Sequence, residues 1–548
     1  MSRPSPFRRS IELEKTPHKR SLLHDPTFRN PWLAVEFSFL GMFIHVVAGS
    51  WLMAELTGSA LFVSLIQTAY ALPIVLFSII AGVLADTVDR RSSMVWSLLV
   101  CLLASILLAA TAELDLLRPW GILALIVIVG CGVALFTPPW QAALGDIAPR
   151  DQLVEAVSLH AIGANAMRTI GPSLGGLLVS MTGATVAFAA GALTYLPALL
   201  LMLFRPPKLT EITDRERFGS ALVLGMRYLT VAPNLELLLL RAFFFSFAAM
   251  CVMAMLPLVA QAQYGLGAGA YGFLYGGYGL GAILGGIGLK RLRRHFSMDR
   301  IVGASFLLTG AAMLALALSR QLWQGLICTV LAGAAWLIVH SLHNSALQLS
   351  TPRWIAGRIV ATFMTSVYLG LAIGGWVWGA LAGWLGVDGA LIAAAVAALI
   401  PFALALRFPL PGAPAHDLEP LAGSVIATDE QGNGLKGGPL YIVIEHDIDP
   451  VNSPSFLALM AQRRRHLTQL GASHWMVLRD IRNSGRWTES FYTASWSDYR
   501  RMMARHSAET AFLRKSAAEL QRNGKEPCAR LMLYEPVTRS LSAPILRT

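Results

Sequence analysis

From Pro31 to Phe408 the apolar residues fall in long continuous blocks, without two-residue alternation. A helix needs about 20 apolar residues to cross the hydrocarbon core of a bilayer, whereas a barrel strand would alternate. Twelve blocks meet that length, at 32–54, 60–85, 94–112, 120–142, 153–180, 183–204, 235–261, 268–289, 301–319, 322–349, 359–386 and 388–406. The pattern predicts an all-α polytopic membrane domain over 31–408, with 205–234 as a long central loop between two six-helix halves.

Beyond residue 438 the pattern changes. Leu440–Glu445 is β-like, and 454–470 carries a helical stripe of Phe456, Leu459, Met460, Leu467 and Leu470. Ser473–Arg479 and Arg486–Ser495 read as two strands joined around Asn483-Ser484-Gly485, 497–520 as a second helix and Ala529–Tyr534 as a last strand. The order βαββαβ predicts a small α+β ferredoxin-like domain over 439–535. The Pro-, Gly- and acid-containing stretch 409–438 reads as a linker, 1–30 as a basic tail and 536–548 as a second tail.

The membrane blocks repeat at an offset of 203 residues. Gly82 and Arg90-Arg91 then meet Gly285 and Arg293-Arg294. Ala143-Leu144 and Pro149-Arg150 meet Ala346-Leu347 and Pro352-Arg353, and Gly171 and Gly176 meet Gly374 and Gly379. One register serves three places in order, as a parallel 6+6 repeat requires, with a pseudo-two-fold axis along the membrane normal.

Charge divides the chain in the same way. Residues 31–408 hold 35 Asp, Glu, Lys and Arg in 378 positions, far below the soluble norm, while 439–535 hold 24 in 97, an ordinary soluble value. With the N-terminus inside, cytoplasmic segments of 31–408 carry 16 Lys and Arg and outside loops carry two, Arg118 and Arg320. That asymmetry places both termini in the cytoplasm of a multi-pass protein. The net charge of +12 therefore reports topology, not nucleic-acid binding. Five Cys in 548 residues make no disulfide framework.

Ionisable groups inside spans are costly and mark function. Glu36 and His45 in the first span are candidate proton carriers, or else an interface carboxylate and a packing histidine. Arg168 falls near mid-membrane in the fifth span and needs a partner or an anionic substrate. His340, His343 and Asn344 share one face of the tenth span at i, i+3, i+4, to line a cavity or to bond across helices. No metal site is expected there without a nearby carboxylate or Cys.

Gly82-Val-Leu-Ala-Asp86-Thr-Val-Asp89-Arg90-Arg91 resembles the signature loop of the major facilitator superfamily, with Asp89 where a second glycine is usual. Leu56-Thr-Gly-Ser59, Thr137-Pro-Pro-Trp-Gln-Ala142, Arg168-Thr-Ile-Gly-Pro-Ser-Leu-Gly-Gly176, Gly225-Met-Arg-Tyr228 and Pro352-Arg-Trp-Ile-Ala-Gly-Arg358 resemble its transmembrane secretion effector group. The resemblance covers about residues 28–535. It implies a gating role for Gly82, Asp86, Arg90 and Arg91. It also implies an export-type helix-five motif in Gly171, Pro172, Gly175 and Gly176, although Met167 stands where that motif has a glycine.

The activity it implies is secondary export of drug- or siderophore-like organic molecules by alternating access in a bacterial inner membrane. Proton antiport fits, since no phosphate-binding glycine-rich loop is present. The fourth span, Gly121 to Trp140, lacks the arginine many proton-coupled exporters carry, which leaves the usual relay in question. The tail domain resembles the small dimeric domains of antibiotic-biosynthesis-type monooxygenases, which often pair through their sheets. His446, His466, His474, Trp475 and His506 are scattered along it, so the reading is a structural or regulatory module without cofactor. A fused catalytic domain and a ligand-reporting sensor are the alternatives.

Overall fold

The computed structural model describes residues 22–87, 89–149, 152–206, 233–410, 439–522, 524, 527 and 529–533. Most of the N-terminal tail, central loop, linker and C-terminal tail lies outside these residues, as does Gly225-Met-Arg-Tyr228. Helices follow as α1 (Pro26–Thr57), α2 (Ala60–Thr87), α3 (Arg90–Glu113), α4 (Pro119–Ile147), α5 (Leu153–Leu193) and α6 (Leu196–Phe204). Then come α7 (Pro233–Leu258), α8 (Ala268–His295), α9 (Met298–Leu318), α10 (Leu322–Leu349), α11 (Arg353–Ala397) and α12 (Leu399–Arg407). Most run several residues past the apolar blocks, because polar ends can continue the helical ladder once outside the hydrocarbon.

Ten helical stretches are long and apolar enough to cross a membrane among the described residues. Two of them, Glu155–Phe204 and Ile359–Arg407, are 50 and 49 residues long. Each contains one left-handed glycine, Gly183 at φ 87° and Gly386 at φ 75°. Only glycine adopts this conformation without a Cβ penalty, so the helix breaks there. The expected sixth block, 183–204, is also divided at Thr194-Tyr195, where α5 gives way to α6.

The 203-residue register is visible in the backbone. Gly183 and Gly386 are related by it, with ψ 172° and 173°, and so are the bounds of α6 and α12. The packing follows: α3 lies on α5 and α6, and α9 on α11 and α12. Contacts group the described residues of 1–213, 254–283 and 319–330 into one compact unit, and those of 214–253, 284–318 and 331–548 into another. In the first unit α1 packs on α5, α2, α4 and α6 around Val35, Met42, Met94, Phe136, Trp140 and Tyr195.

The tail domain has β1 (Leu440–Asp447), α13 (Ser453–Leu470), β2 (Ser473–Arg479), β3 (Arg486–Thr493), α14 (Trp496–Ala504), α15 (Ala508–Glu519) and β4 (Ala529–Leu533). Its antiparallel sheet runs β2-β3-β1-β4. The expected single helix over 497–520 is two helices. α15 starts afresh at Ser507, whose extended backbone ends the first helix and whose N–H donates to Thr510 Oγ1 at 3.2 Å. Leu440, Ile442, Ile444 and Phe491 from the sheet pack on Leu467 and Leu470 of α13 and Met502 of α14.

Candidate functional site

Glu36 of α1 is 2% exposed and turned toward α5. His160 of α5 meets it, with Nδ1 2.9 Å from Glu36 Oε1. The helices come this close because Gly163 has no side chain: a Cβ there would stand 2.5 Å from the Glu36 carboxyl carbon. Phe39 and the edge of Trp140 flank the imidazole. Oε2 of Glu36 is buried without a partner. A buried carboxylate that shares one proton with an imidazole is neutral as a pair whichever of the two holds it, and gains or loses one unit of charge when a proton enters or leaves.

His45 is placed differently. It is fully buried, its Nδ1 donates to Gly41 O at 2.6 Å, and its ring packs on Phe188, Tyr195 and Gly191. Its Nε2 is buried without a hydrogen-bond partner.

Arg168 of α5 lies with its guanidinium carbon 5.9 Å from the centre of the Phe43 ring. Its charge acts on Tyr275 and Tyr278 of α8, and its buried Nε has no hydrogen-bond partner. No described carboxylate pairs with it.

The helix-five motif faces two ways. Cβ atoms added to Gly171 and Gly175 would meet Phe43 and Ile44 of α1 at 2.6 and 3.1 Å. One added to Gly176 would stand 2.6 Å from the Cα of Gly272 on α8, and one on Gly272 would stand 2.7 Å from the Pro172 carbonyl oxygen. Thr169, Ser173 and Gly176 thus run antiparallel to Gly279, Gly276 and Gly272. Such contacts between small residues let membrane helices approach backbone to backbone. In the second repeat Gly370 and Gly374 press on Phe243 and Phe247 of α7 in the manner of Gly171 and Gly175 on α1.

In the loop after α2, Asp89 caps α3, accepting from Ser92 N and Oγ, each at 2.9 Å. Donation from the Ser92 backbone holds the Asp89 carboxyl below its usual range. Its place in the motif is therefore that of a helix cap. Arg90 pairs with Asp146 at the end of α4 at 2.7 Å, and Arg91 donates to the carbonyls of Met202 and Leu203 at the end of α6. The Arg90 and Arg91 cations thus lie at the negative ends of two helix dipoles. The side chain of Asp86 lies outside the described residues, as does the surrounding of Gly82.

His340, His343 and Asn344 separate. His340 stacks among Trp336, Phe245 and Phe363 with Nε2 3.5 Å from Ser246 Oγ. His343 is fully buried against Phe306, bonded to Val339 O at 2.8 Å. Asn344 accepts from Gln348 within its own helix. Arg241 of α7, 1% exposed, donates to Phe408 O at 3.1 Å, while Asp299 accepts from Leu410 N at 2.7 Å.

The tail domain has a polar centre of its own. Glu489 of β3, fully buried, accepts from Arg463 Nε at 2.9 Å and Trp475 Nε1 at 2.8 Å, with His446 Nε2 at 3.3 Å. Gln521 closes the set on His446 Nδ1 at 2.9 Å. Burial alone would raise the Glu489 carboxyl, but these donors outweigh it and hold it below its usual range. Nearby, His466 bonds Thr510 Oγ1 at 2.7 Å, and burial pushes His466 and His506 each down to about 4.

His160, Asp146 and Glu489 do not stand out in the sequence. Each is an ordinary polar residue near the end of an apolar run or within a strand, and only the fold supplies its partner.

The chain matches the model of the transmembrane secretion effector family over residues 20–539. It is 28% identical to the enterobactin exporter EntS of Escherichia coli O1:K1 over 380 residues, 65% of this chain and 85% of that protein. It is 25% identical to the multidrug efflux pump Tap of Mycolicibacterium fortuitum over 375 residues, 64% and 89% of the two chains. Among solved structures, an inward-facing bacterial homolog of the human lysosomal transporter Spinster aligns at TM-score 0.58 and 16% identity, over 71% of this chain and all of that one. The fold, the loop motif and the family match together place this chain in the transmembrane secretion effector family of major facilitator transporters.

Proposed function

We propose that this protein is a secondary exporter of small organic molecules, of drug or siderophore type, that works by alternating access and proton antiport. The observation that carries the coupling is the buried Glu36–His160 pair between α1 and α5. It supplies the exchangeable proton site that the fourth span, without arginine, lacks. The names of EntS and Tap support the substrate classes. Counting each of the two long helical stretches as two spans, divided at Gly183 and Gly386, gives twelve crossings. The charge asymmetry of the loops favours a bacterial inner membrane with both termini cytoplasmic.

We read the tail domain, with its ferredoxin-like element order, as a non-catalytic module, because the polar groups at its centre bond to one another. The opposite face of its sheet exposes Tyr441, Met476, Leu478 and Met532, a surface suited to pairing with a second copy. The membrane body from 31 to 408, the linker and the domain from 439 to 535 follow from the same reading.

The test is retention of a drug and siderophore panel in an efflux-deleted bacterial host, with and without the protein. Lower retention of at least one compound, abolished by collapsing the proton gradient, is expected. Unchanged retention across the panel overturns the export reading.

A further inference from the structure

α8 buries one face and exposes the opposite one. Tyr271, Tyr275 and Tyr278, at i, i+4 and i+7, are buried, while Phe273, Leu280, Leu284 and Ile287 across the helix are exposed. An exposed apolar stripe on a helix of spanning length is a face for lipid. Helical spacing carries this stripe on without a break. Leu280, Leu284, Ile287, Arg291 and Arg294 follow one another at steps of four and three residues, the spacing of a single face. At about 1.5 Å of rise per residue, Arg291 stands about 6 Å and Arg294 about 10 Å beyond Ile287. The lipid-facing stripe thus ends in two arginines, where headgroups follow acyl chains.

The internal repeat shows what these cations lack. Shifted by 203 residues, Arg293 and Arg294 match Arg90 and Arg91. In the first repeat Arg90 has Asp146, and Arg91 has the carbonyls of Met202 and Leu203. In the second, Asp146 is replaced by the exposed Leu349, and the capping Asp89 by Leu292. With no acid there to cap a new helix, α8 runs on to His295, whereas α2 stops at Thr87. Lys290, Arg291, Arg293, Arg294 and Arg300 are all exposed, and none pairs with an acid among the described residues. Asp299, the acid of this turn, accepts from Leu410 N. The α8 dipole favours cations in its last turn, but it cancels no charge, so the cluster presents a net positive surface.

We propose that the His295 end of α8 is a docking surface for an anionic phospholipid, with Arg291 and Arg294 on its phosphate and the stripe from Leu280 to Ile287 along its acyl chain. A guanidinium takes a phosphate through two parallel, charge-assisted bonds. Basic residues immediately beyond a spanning helix attract anionic headgroups in the same way. Free phosphate would meet the arginines alone, whereas a lipid meets the arginines and the stripe that leads to them. The inference rests on α8 spanning the bilayer and not on the export reading.

The test is native mass spectrometry of the full-length protein, released from maltoside micelles after equilibration with equimolar phosphatidylglycerol and phosphatidylcholine of matched chains. Phosphatidylglycerol adducts should exceed phosphatidylcholine adducts by about fivefold or more, the factor that one arginine near an anionic surface gives. Raising the salt from about 0.1 M to about 1 M shortens the screening length from about 10 Å to about 3 Å and should shrink the excess. Arg291→Gln with Arg294→Gln should remove it, and Arg291→Lys with Arg294→Lys should keep part of it. Arg464→Gln with Arg465→Gln, which takes two exposed cations from α13, is the control and should keep all of it. Equal adducts of the two lipids in the wild type overturn the proposal, and so does an excess that survives the Arg291 and Arg294 glutamines or falls equally in the control. Inorganic phosphate at the lipid concentration should not displace phosphatidylglycerol; displacement would mark an ion site and overturn the lipid surface. An excess that grows when the linker acids Asp417, Glu419, Asp429 and Glu430 are neutralised would give the arginines to the linker and overturn it as well. Transport is read nowhere in this test, so loss of the lipid surface leaves the export reading standing, and failure of export leaves the surface standing.

Discussion

Nδ1 of His160 lies 2.9 Å from Oε1 of Glu36, and the second carboxylate oxygen of Glu36 is buried with no partner. The pair bridges α1 and α5, which are among the most closely packed helices of the first unit. If it carries the coupling proton, Glu36→Gln should abolish transport driven by a pH gradient, a loss of about tenfold or more. Substrate exchange at equal pH should persist, because exchange needs no net proton movement. His160→Ala should lower gradient-driven transport as well. The measurement is substrate uptake into inverted vesicles at several imposed gradients. Wild-type gradient dependence in both variants would remove the pair from the relay.

Gly176 and Gly272 meet with less room than a methyl group needs, since the atom added to either would stand under 3 Å from backbone. Backbone cannot yield as a flexible side chain does. Gly272→Leu should therefore separate α5 from α8, at a cost of about 1–3 kcal/mol for overpacking, or more. A lower melting temperature and slower transport are expected together. Gly288→Leu, where an added Cβ meets nothing within 4 Å, is the control and should leave both near wild type. Equal behaviour of the two variants would show that the close approach is not needed.

Arg90 and Asp89 act on separate partners, and the difference is measurable. Asp89→Ala removes the cap of α3, which costs about 1 kcal/mol at a typical N-terminus. Arg90→Ala leaves Asp146 without its cation, half-buried at the end of α4. A double-mutant cycle on Arg90 and Asp146 should return a coupling of about 1 kcal/mol or less, since both side chains are partly solvated. The same cycle between Asp89 and Asp146 should return none. Thermal unfolding in one detergent checks both.

The repeat is legible because a helical membrane chain must keep its apolar length and its loop charges in register, and both are printed in the sequence. Gly183 and Gly386 carry no comparable signal, since glycines are frequent in these spans and only the backbone angle distinguishes these two. Arg168 is legible as a charge in an apolar run, but its tyrosine neighbours lie about 100 residues away and reach it through the α5–α8 contact. His45 and Glu36 look alike as polar residues of one span. The fold separates them, because His45 points into the Phe188–Tyr195 packing and Glu36 meets a second titratable group. In the tail domain the apolar stripe of α13 is plain in the sequence, yet Arg463 and His466 sit on the same buried face. Their polarity hides them, and the partners that make burial tolerable come from β3 and α15.

The imidazoles of His466, which is buried, and His506, which is partly buried, set a pH limit on the tail domain. Both are pushed down to about 4 in the folded domain, chiefly by burial, against an unfolded value near 6.5. A histidine with a depressed folded value binds its proton more readily when unfolded. The stability it contributes is therefore full above about pH 6.5 and falls as the pH drops toward 4. Each could contribute up to about 3 kcal/mol across that window, less where the two positions interact or solvent screens them. Glu489, held below its usual range, adds a further loss only below about pH 4.5. Hydrogen exchange on the full-length protein at about pH 7.5, 6 and 5, corrected for intrinsic rates, should show the protection of α13 and α15 falling stepwise while that of α3 and α4 holds. His466→Gln should flatten the step, keeping a hydrogen-bonding group beside Thr510 with nothing to titrate. Protection of α13 that stays level from about pH 7.5 to 5 in the wild-type protein would contradict the burial of these imidazoles as neutral groups.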